Sequence, residues 1–282
     1  MKKNKGYGLN PTPEDRRDFP NVPVFGFASP AELPDTYTVS TPLIIKDQTD
    51  TDMCSAFALT AVSEDQERVA LDPAYTFFKT KQIMGGDVDS WGADLRSACK
   101  SSTRKYGGFL PMSRYGGNVP VFNSVARDRA ARGDDFKNTD DWVAKKYSKQ
   151  TYFAVVGERD AFDNMKSALW RTRDEERSIF TGIDWNPLWN RAKLGRVEKV
   201  TDGQTYGHAV KMFGWELEDW GVFQLSNGKE IGDGGIFTLH RDVINRFCTY
   251  GSFTVMDLPR DVAEYEMGRI GTLRYWWKSI FA

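Results

Sequence analysis

The chain has 282 residues, with 38 Lys plus Arg against 39 Asp plus Glu, so its formal charge is −1. That balance argues against a polycationic nucleic-acid binder, and 40% hydrophobic with 27% charged residues argues against a disordered chain. Three cysteines cannot all pair, which argues against a disulfide-stapled scaffold and leaves at least one free thiol.

The start, Met1-Lys2-Lys3-Asn4-Lys5, is basic, but Gly6-Tyr7-Gly8-Leu9-Asn10-Pro11 follows instead of an apolar run, so no secretory signal is read. No apolar run approaches the roughly 18 residues of a transmembrane helix. Together with the cysteine usage, this points to a reducing, cytoplasmic setting. Pro11, Pro13, Pro20, Pro23, Pro30 and Pro34 leave no room for a long helix, so residues 1–40 read as an extended arm. After the apolar Leu43-Ile44-Ile45 and a polar loop, Cys54 to Ala70 lacks Gly and Pro, and its apolar residues recur at helical spacing, with Asp52 as a candidate N-cap. Asp72-Pro73 closes that helix, Ala74 to Ile83 reads as a second and Asp94 to Arg104 as a third. The Gly- and charge-rich stretch 113–150, with Arg127-Asp128-Arg129, reads as a solvated connector. Tyr152 to Val156, Ser178 to Ile183, His208 to Trp215, Gly221 to Leu225 and Gly235 to Leu239 read as strands, with a short helix over Asp160 to Leu169. The pattern is α+β: a helical lobe over 41–112, the connector, and a β-rich lobe over 151–258, with an aromatic tail over 259–282. Thirteen per cent of the residues are aromatic, and Trp185, Trp189, Trp215 and Trp220 are expected in the core of the β-rich lobe or around a cleft.

Only His208 and His240 are histidines. Cys54 opens a helix, where the helix dipole favours a thiolate, and a distant His on a strand is the partner a thiol nucleophile needs. The competing reading is a buried small apolar residue. Asp47, Asp50 and Asp52 lack the spacing and distal Glu of a calcium loop, and Gly85-Gly86 and Gly116-Gly117 lack the Lys-Ser/Thr of a phosphate loop. No cofactor and no metal is implied.

Gln48 lies six residues before Cys54, in Asp47-Gln48 … Cys54-Ser55-Ala56-Phe57-Ala58. This resembles the papain family of cysteine peptidases, in its bacterial and phage form without a long propeptide. Gly6-Tyr7-Gly8 to Asp18-Phe19 resembles the opening arm of those members, Gly92-Ala93-Asp94-Leu95 the glycine-containing cleft segment, and Gly207-His208-Ala209-Val210 with Gly214-Trp215 the strand that presents the His. Ser226, Gly228 and Gly232 to Phe237 resemble the closing hairpin. The resemblance runs over roughly residues 6 to 245. It implies a two-lobed papain-like fold and a peptide or protein substrate. It also implies Cys54 as nucleophile, His208 as general base and acid, Gln48 and the Cys54 amide as the oxyanion hole, and Gly92 for pairing with an extended peptide.

The sequence also departs from the family. Leu225 stands where an Asn should orient the His, and Leu cannot fix an imidazole tautomer. Asn227, two residues on, is the remaining candidate orienter. Asp50 and Asp52 oppose a thiolate at Cys54, and Thr51 replaces a Cys, removing a family disulfide. Two functions follow: a thiol peptidase of reduced activity, or a catalytically silent papain-fold module of a larger assembly such as a phage virion. The second would use the arm and the tail, which ends Tyr275-Trp276-Trp277-Lys278-Ser279-Ile280-Phe281, as contacts for assembly partners.

Overall fold

The computed structural model describes residues 7–12, 26, 28–39, 41–115, 121–157, 159–200 and 202–256. The aromatic tail at 259–282 lies outside them. Helix α1 (Cys54–Glu67) is buried on nearly every side, as a helix without Gly or Pro and rich in Ala can be. It ends where Arg68 turns to φ 53°. Helix α2 (Pro73–Ile83) starts at a Pro behind the Asp72 cap, and α3 (Leu95–Ser102) starts behind the Asp94 cap. Helices α4 (Ser124–Arg132) and α5 (Asn138–Ala144) follow, then α6 (Ala161–Arg171), capped by Asp160, and the short α7 (Arg241–Phe247).

The strands are β1 (Tyr37–Thr38), β2 (Thr151–Ala154), β3 (Ile179–Trp185), β4 (Arg196–Val197), β5 (Tyr206–Glu216), β6 (Trp220–Gln224), β7 (Ile236–His240) and β8 (Ser252–Met256). They form one sheet in the order β2-β8-β3-β5-β6-β7-β4, with β1 added to β5. Only the β4–β7 pair is parallel.

Three larger apolar clusters and a small one around Tyr75, Leu110 and Ala144 make up the core of the described residues. One lies between the sheet and α6 and α7, and it holds Trp185, Trp189 and Trp215. A second joins α1 and α3 to β3, β5 and β8. A third lies within the helical lobe. Further along α1, Glu64 and Asp65 are fully buried and paired with Lys46 and Lys211. Lys211 comes from β5, at 2.6 Å from Asp65, and it also donates to the Ala61 carbonyl. Burial pushes the Asp65 carboxyl up and the Lys211 amine down, so each charge depends on its partner.

Two sequence expectations change. Asp52 does not cap α1; Met53 occupies the N-cap position and the Asp52 carboxylate turns away. The stretch expected as a solvated connector carries α4 and α5, and its Arg127 is buried. Of the expected arm, residues 1–6, 13–25, 27 and 40 lie outside the described residues, and the rest is extended only in part. Pro30–Glu32 forms a 3-10 turn, Ala28 donates to Ser167, and Pro34 accepts from the Trp215 indole.

Candidate active site

Cys54 is the first residue of α1, and its helix start faces β5. On β5, His208 pairs with Ile183 of β3, and Ala209 packs in the same core as Cys54. The backbone amides of Ala209, Gly8 and Ser55 donate toward the Cys54 sulfur and favour its thiolate. Burial outweighs them and, with the charge of Asp52, pushes the thiol up to about 11. Cys54 and His208 are both fully buried. The imidazole meets the Tyr7 ring edge-on at 5.4 Å and the Trp185 ring at 6.2 Å between centroids.

What buries them is a strap made of residues 7–10. Leu9 donates to the Gly207 carbonyl at 3.1 Å, just before His208. On the other wall, Ala93 donates to Gly8 at 3.0 Å and Asn10 donates to Ala93 at 3.1 Å, a parallel bridge centred on Leu9 and Ala93. The Tyr7 ring stacks on Tyr206 at 5.2 Å, and the Tyr7 carbonyl accepts from the Trp91 indole at 2.9 Å. A Cβ on Gly8 would fall 2.5 Å from the Asp52 Cβ, and one on Gly92 would fall 1.7 Å from the Gly8 carbonyl oxygen. Both positions must therefore be glycine for the strap to lie this deep.

The other sequence candidates separate. Gln48 is fully buried, and its side-chain amide donates to the Thr51 carbonyl at 2.9 Å and accepts from the Ser226 hydroxyl. Gly92 does not supply the backbone groups that pair with the strap; Ala93 does. Gly92 turns its N–H to Asp52 and its carbonyl to Lys81. Leu225 is buried in the same apolar core as Trp185. Asn227 bridges to Asp47 across a backbone pair, and its Oδ1 is buried without a partner. His240 lies far along the chain from this cleft, capping α7 and packing on Trp220 at 5.0 Å. No group of His, Cys, Asp or Glu among the described residues is arranged to hold a metal ion. No helix among them is long and apolar enough to cross a membrane.

No family model and no curated protein matches the chain. Solved structures do. Xylellain, a cysteine protease from Xylella fastidiosa, superposes with a TM-score of 0.70 at 21% identity, over 90% of this chain and 97% of that one. The digestive procathepsin L 3 of Tenebrio molitor gives 0.62 at 16% identity, over 90% and 76%. The bromelain protease of Ananas comosus, in complex with E64, gives 0.58 at 16% identity, over 80% and 100%. The fold is papain-like. Within this fold Cys54 opens α1 beside Ala209 of β5, the residue that follows His208.

Sequence reasoning missed Tyr7, Leu9, Ala93, Trp91 and Arg127. For the strap, the available signal was paired glycines at Gly8 and Gly92. For Arg127 there was none, since one Arg in a charged run looks like its neighbours.

Proposed function

We propose that the chain is a papain-like thiol peptidase acting on peptides or proteins, held closed by its own residues 7–10. The observation that carries this reading is the strap. Residues 7–10 already lie as an extended peptide beside Cys54, bonded by backbone to Gly207, one residue before His208, and to Ala93. In the reaction, His208 takes the Cys54 proton as the sulfur attacks a peptide carbonyl. It then returns that proton to the leaving amine, and water releases the acyl group from sulfur. The Cys54 amide and a re-aimed Gln48 amide receive the oxyanion.

The strap itself is not positioned as a substrate. It offers the sulfur the Gly8 N–H instead of a carbonyl carbon, and the Gly8 carbonyl is engaged with Ala93. Cys54, Cys99 and Cys248 are all free thiols, which suits a cytoplasmic setting.

The test is labelling by a peptidyl epoxide, read by mass spectrometry, in the intact chain and in Gly8→Ala. The expected adduct forms on Cys54, faster in Gly8→Ala, and is absent from Cys54→Ala. Labelling of Cys54 no faster than Cys99 or Cys248 in either protein removes the peptidase reading.

Leu225 favours a second reading, a silent papain-fold module of a larger assembly such as a virion. Its apolar side chain, in the core with Trp185, offers the imidazole no hydrogen bond. That reading expects no Cys54 adduct, together with loss of a stable assembly when residues 268–282 are deleted.

A further inference from the structure

One buried side chain ties the loop that carries Cys54 to segment 88–92, next to the Ala93 wall. Arg127 comes from α4 and is almost fully buried. Its Nε and Nη2 each donate to Asp52 at 2.8 Å, a two-pronged pair with the residue two before Cys54. Nη2 also donates to the Ser90 carbonyl and Nη1 to the Val88 carbonyl, both at 2.8 Å. Nη1 reaches Asp128 at 3.1 Å as well. All five guanidinium N–H groups are thereby used. Asp52 in turn accepts the Gly92 N–H. From the opposite side, buried Lys81 donates to Ser90 and to the Gly92 carbonyl at 2.7 Å. Segment 88–92 is therefore clamped between two cations and tied through one carboxylate to the loop that delivers the nucleophile. Next to it, Ala93 makes the backbone pairing with an extended chain in the cleft.

We propose that Arg127 is a positioning residue of the cleft: through Asp52 it sets the Gly92–Ala93 wall, where a peptide pairs, relative to Cys54. It does not touch the sulfur or a bound peptide. The substrate part of this proposal rests on the peptidase reading above; the geometric part does not. Lys cannot replace it, because an ammonium has no planar fork to span two carboxylate oxygens and two carbonyls at once.

The test uses the full chain with Arg127→Met and the milder Arg127→Lys. The first measurement is amide exchange. In both variants Gly92 is expected to exchange about tenfold faster, the scale of one lost charge-assisted hydrogen bond. The Gln48 amide, which donates to Ser226 at 2.8 Å outside the clamp, is expected to change less than about twofold. Equal acceleration of both amides means general loosening and overturns the proposal, as does an unchanged Gly92. The double variant Asp52→Asn/Arg127→Met keeps an acceptor for Gly92 without stranding a buried charge, and it is expected to restore much of the Gly92 protection.

The second measurement, in the Gly8→Ala background, is the ratio of peptidyl epoxide to iodoacetamide labelling at Cys54. Arg127→Lys is expected to lower that ratio about tenfold with the iodoacetamide rate unchanged. A ratio that stays constant overturns the positioning role. If Cys54 never takes the epoxide, the peptidase reading falls while the exchange result alone decides the clamp.

Discussion

Helix α1 is buried at its start, at Cys54, and again near its end, at Glu64 and Asp65, in opposite ways. At the far end Glu64 and Asp65 are closed in by matched cations from elsewhere in the fold, Lys46 and Lys211. At the near end the uncharged Cys54 thiol is covered by residues 7–10, held by three backbone hydrogen bonds and two aromatic contacts. Breaking a buried ion pair leaves a stranded charge, whereas lifting a strap exposes polar groups that water can satisfy. The helix is therefore expected to stay fastened at the buried pairs when the strap over Cys54 lifts.

The sharpest way to break that contrast is Lys211→Met. It strands Asp65 in a region with no water access and is expected to lower unfolding free energy by about 3–5 kcal/mol, measured by denaturant titration. A loss below about 1 kcal/mol, the scale of an exposed pair, contradicts that fastening.

Gly8→Ala acts at the other end. Its new Cβ meets the Asp52 backbone and Cβ at 2.5–2.7 Å, so the strap must lift. Two or three backbone hydrogen bonds of about 0.5–1.5 kcal/mol each are at stake, and labelling of Cys54 is expected to rise roughly tenfold to a hundredfold. Stability is expected to fall by less than in Lys211→Met. An equal fall in both variants erases the distinction between the two ends.

A smaller effect is expected from Leu225→Asn in the Gly8→Ala background. An amide there can bond the imidazole and fix its tautomer, raising peptide hydrolysis about tenfold in a fluorogenic assay. If the rate stays flat while stability falls by about 1–3 kcal/mol, the amide is simply an unpaired polar group in an apolar core.

How much of this was legible in the sequence follows from the range of the forces involved. The start and body of α1 could be read because its apolar spacing and lack of Gly and Pro are local, but its end could not: it stops at Glu67, where Arg68 turns left-handed, short of the expected Ala70 and Asp72-Pro73. β3, β5, β6 and β7 could be read from short apolar runs between turn residues. β8 was not singled out, since Ser252 to Met256 is defined by pairing with β2 and β3, far back in the chain. Cys54 and His208 were legible because their residue types are scarce. The strap was not read: Tyr7-Gly8-Leu9-Asn10 is held by backbone groups near Ala93 and Gly207, and its one trace in the sequence is the pair of glycines, Gly8 and Gly92, that let it lie so deep. Arg127 and Arg129 illustrate the same limit. One is buried in the clamp, while the other, two residues on, is exposed and paired with Asp135.

The measurement that bears most directly on the central claim is the pH dependence of iodoacetamide alkylation at Cys54, in the intact chain and in Gly8→Ala. In the intact chain, burial holds the thiol up to about 11, so the rate is expected to climb only toward that pH. Folding stability should fall over the same alkaline range. The unfolded thiol ionises first, near about 8.5, and so favours unfolding until the folded group ionises as well. Lifting the strap restores solvent to the sulfur, which favours the charged form, so the inflection in Gly8→Ala is expected to move to lower pH, with faster alkylation than the intact chain at each pH below about 11. Coincident profiles in the two proteins would contradict a nucleophile kept latent by its own N-terminal strap.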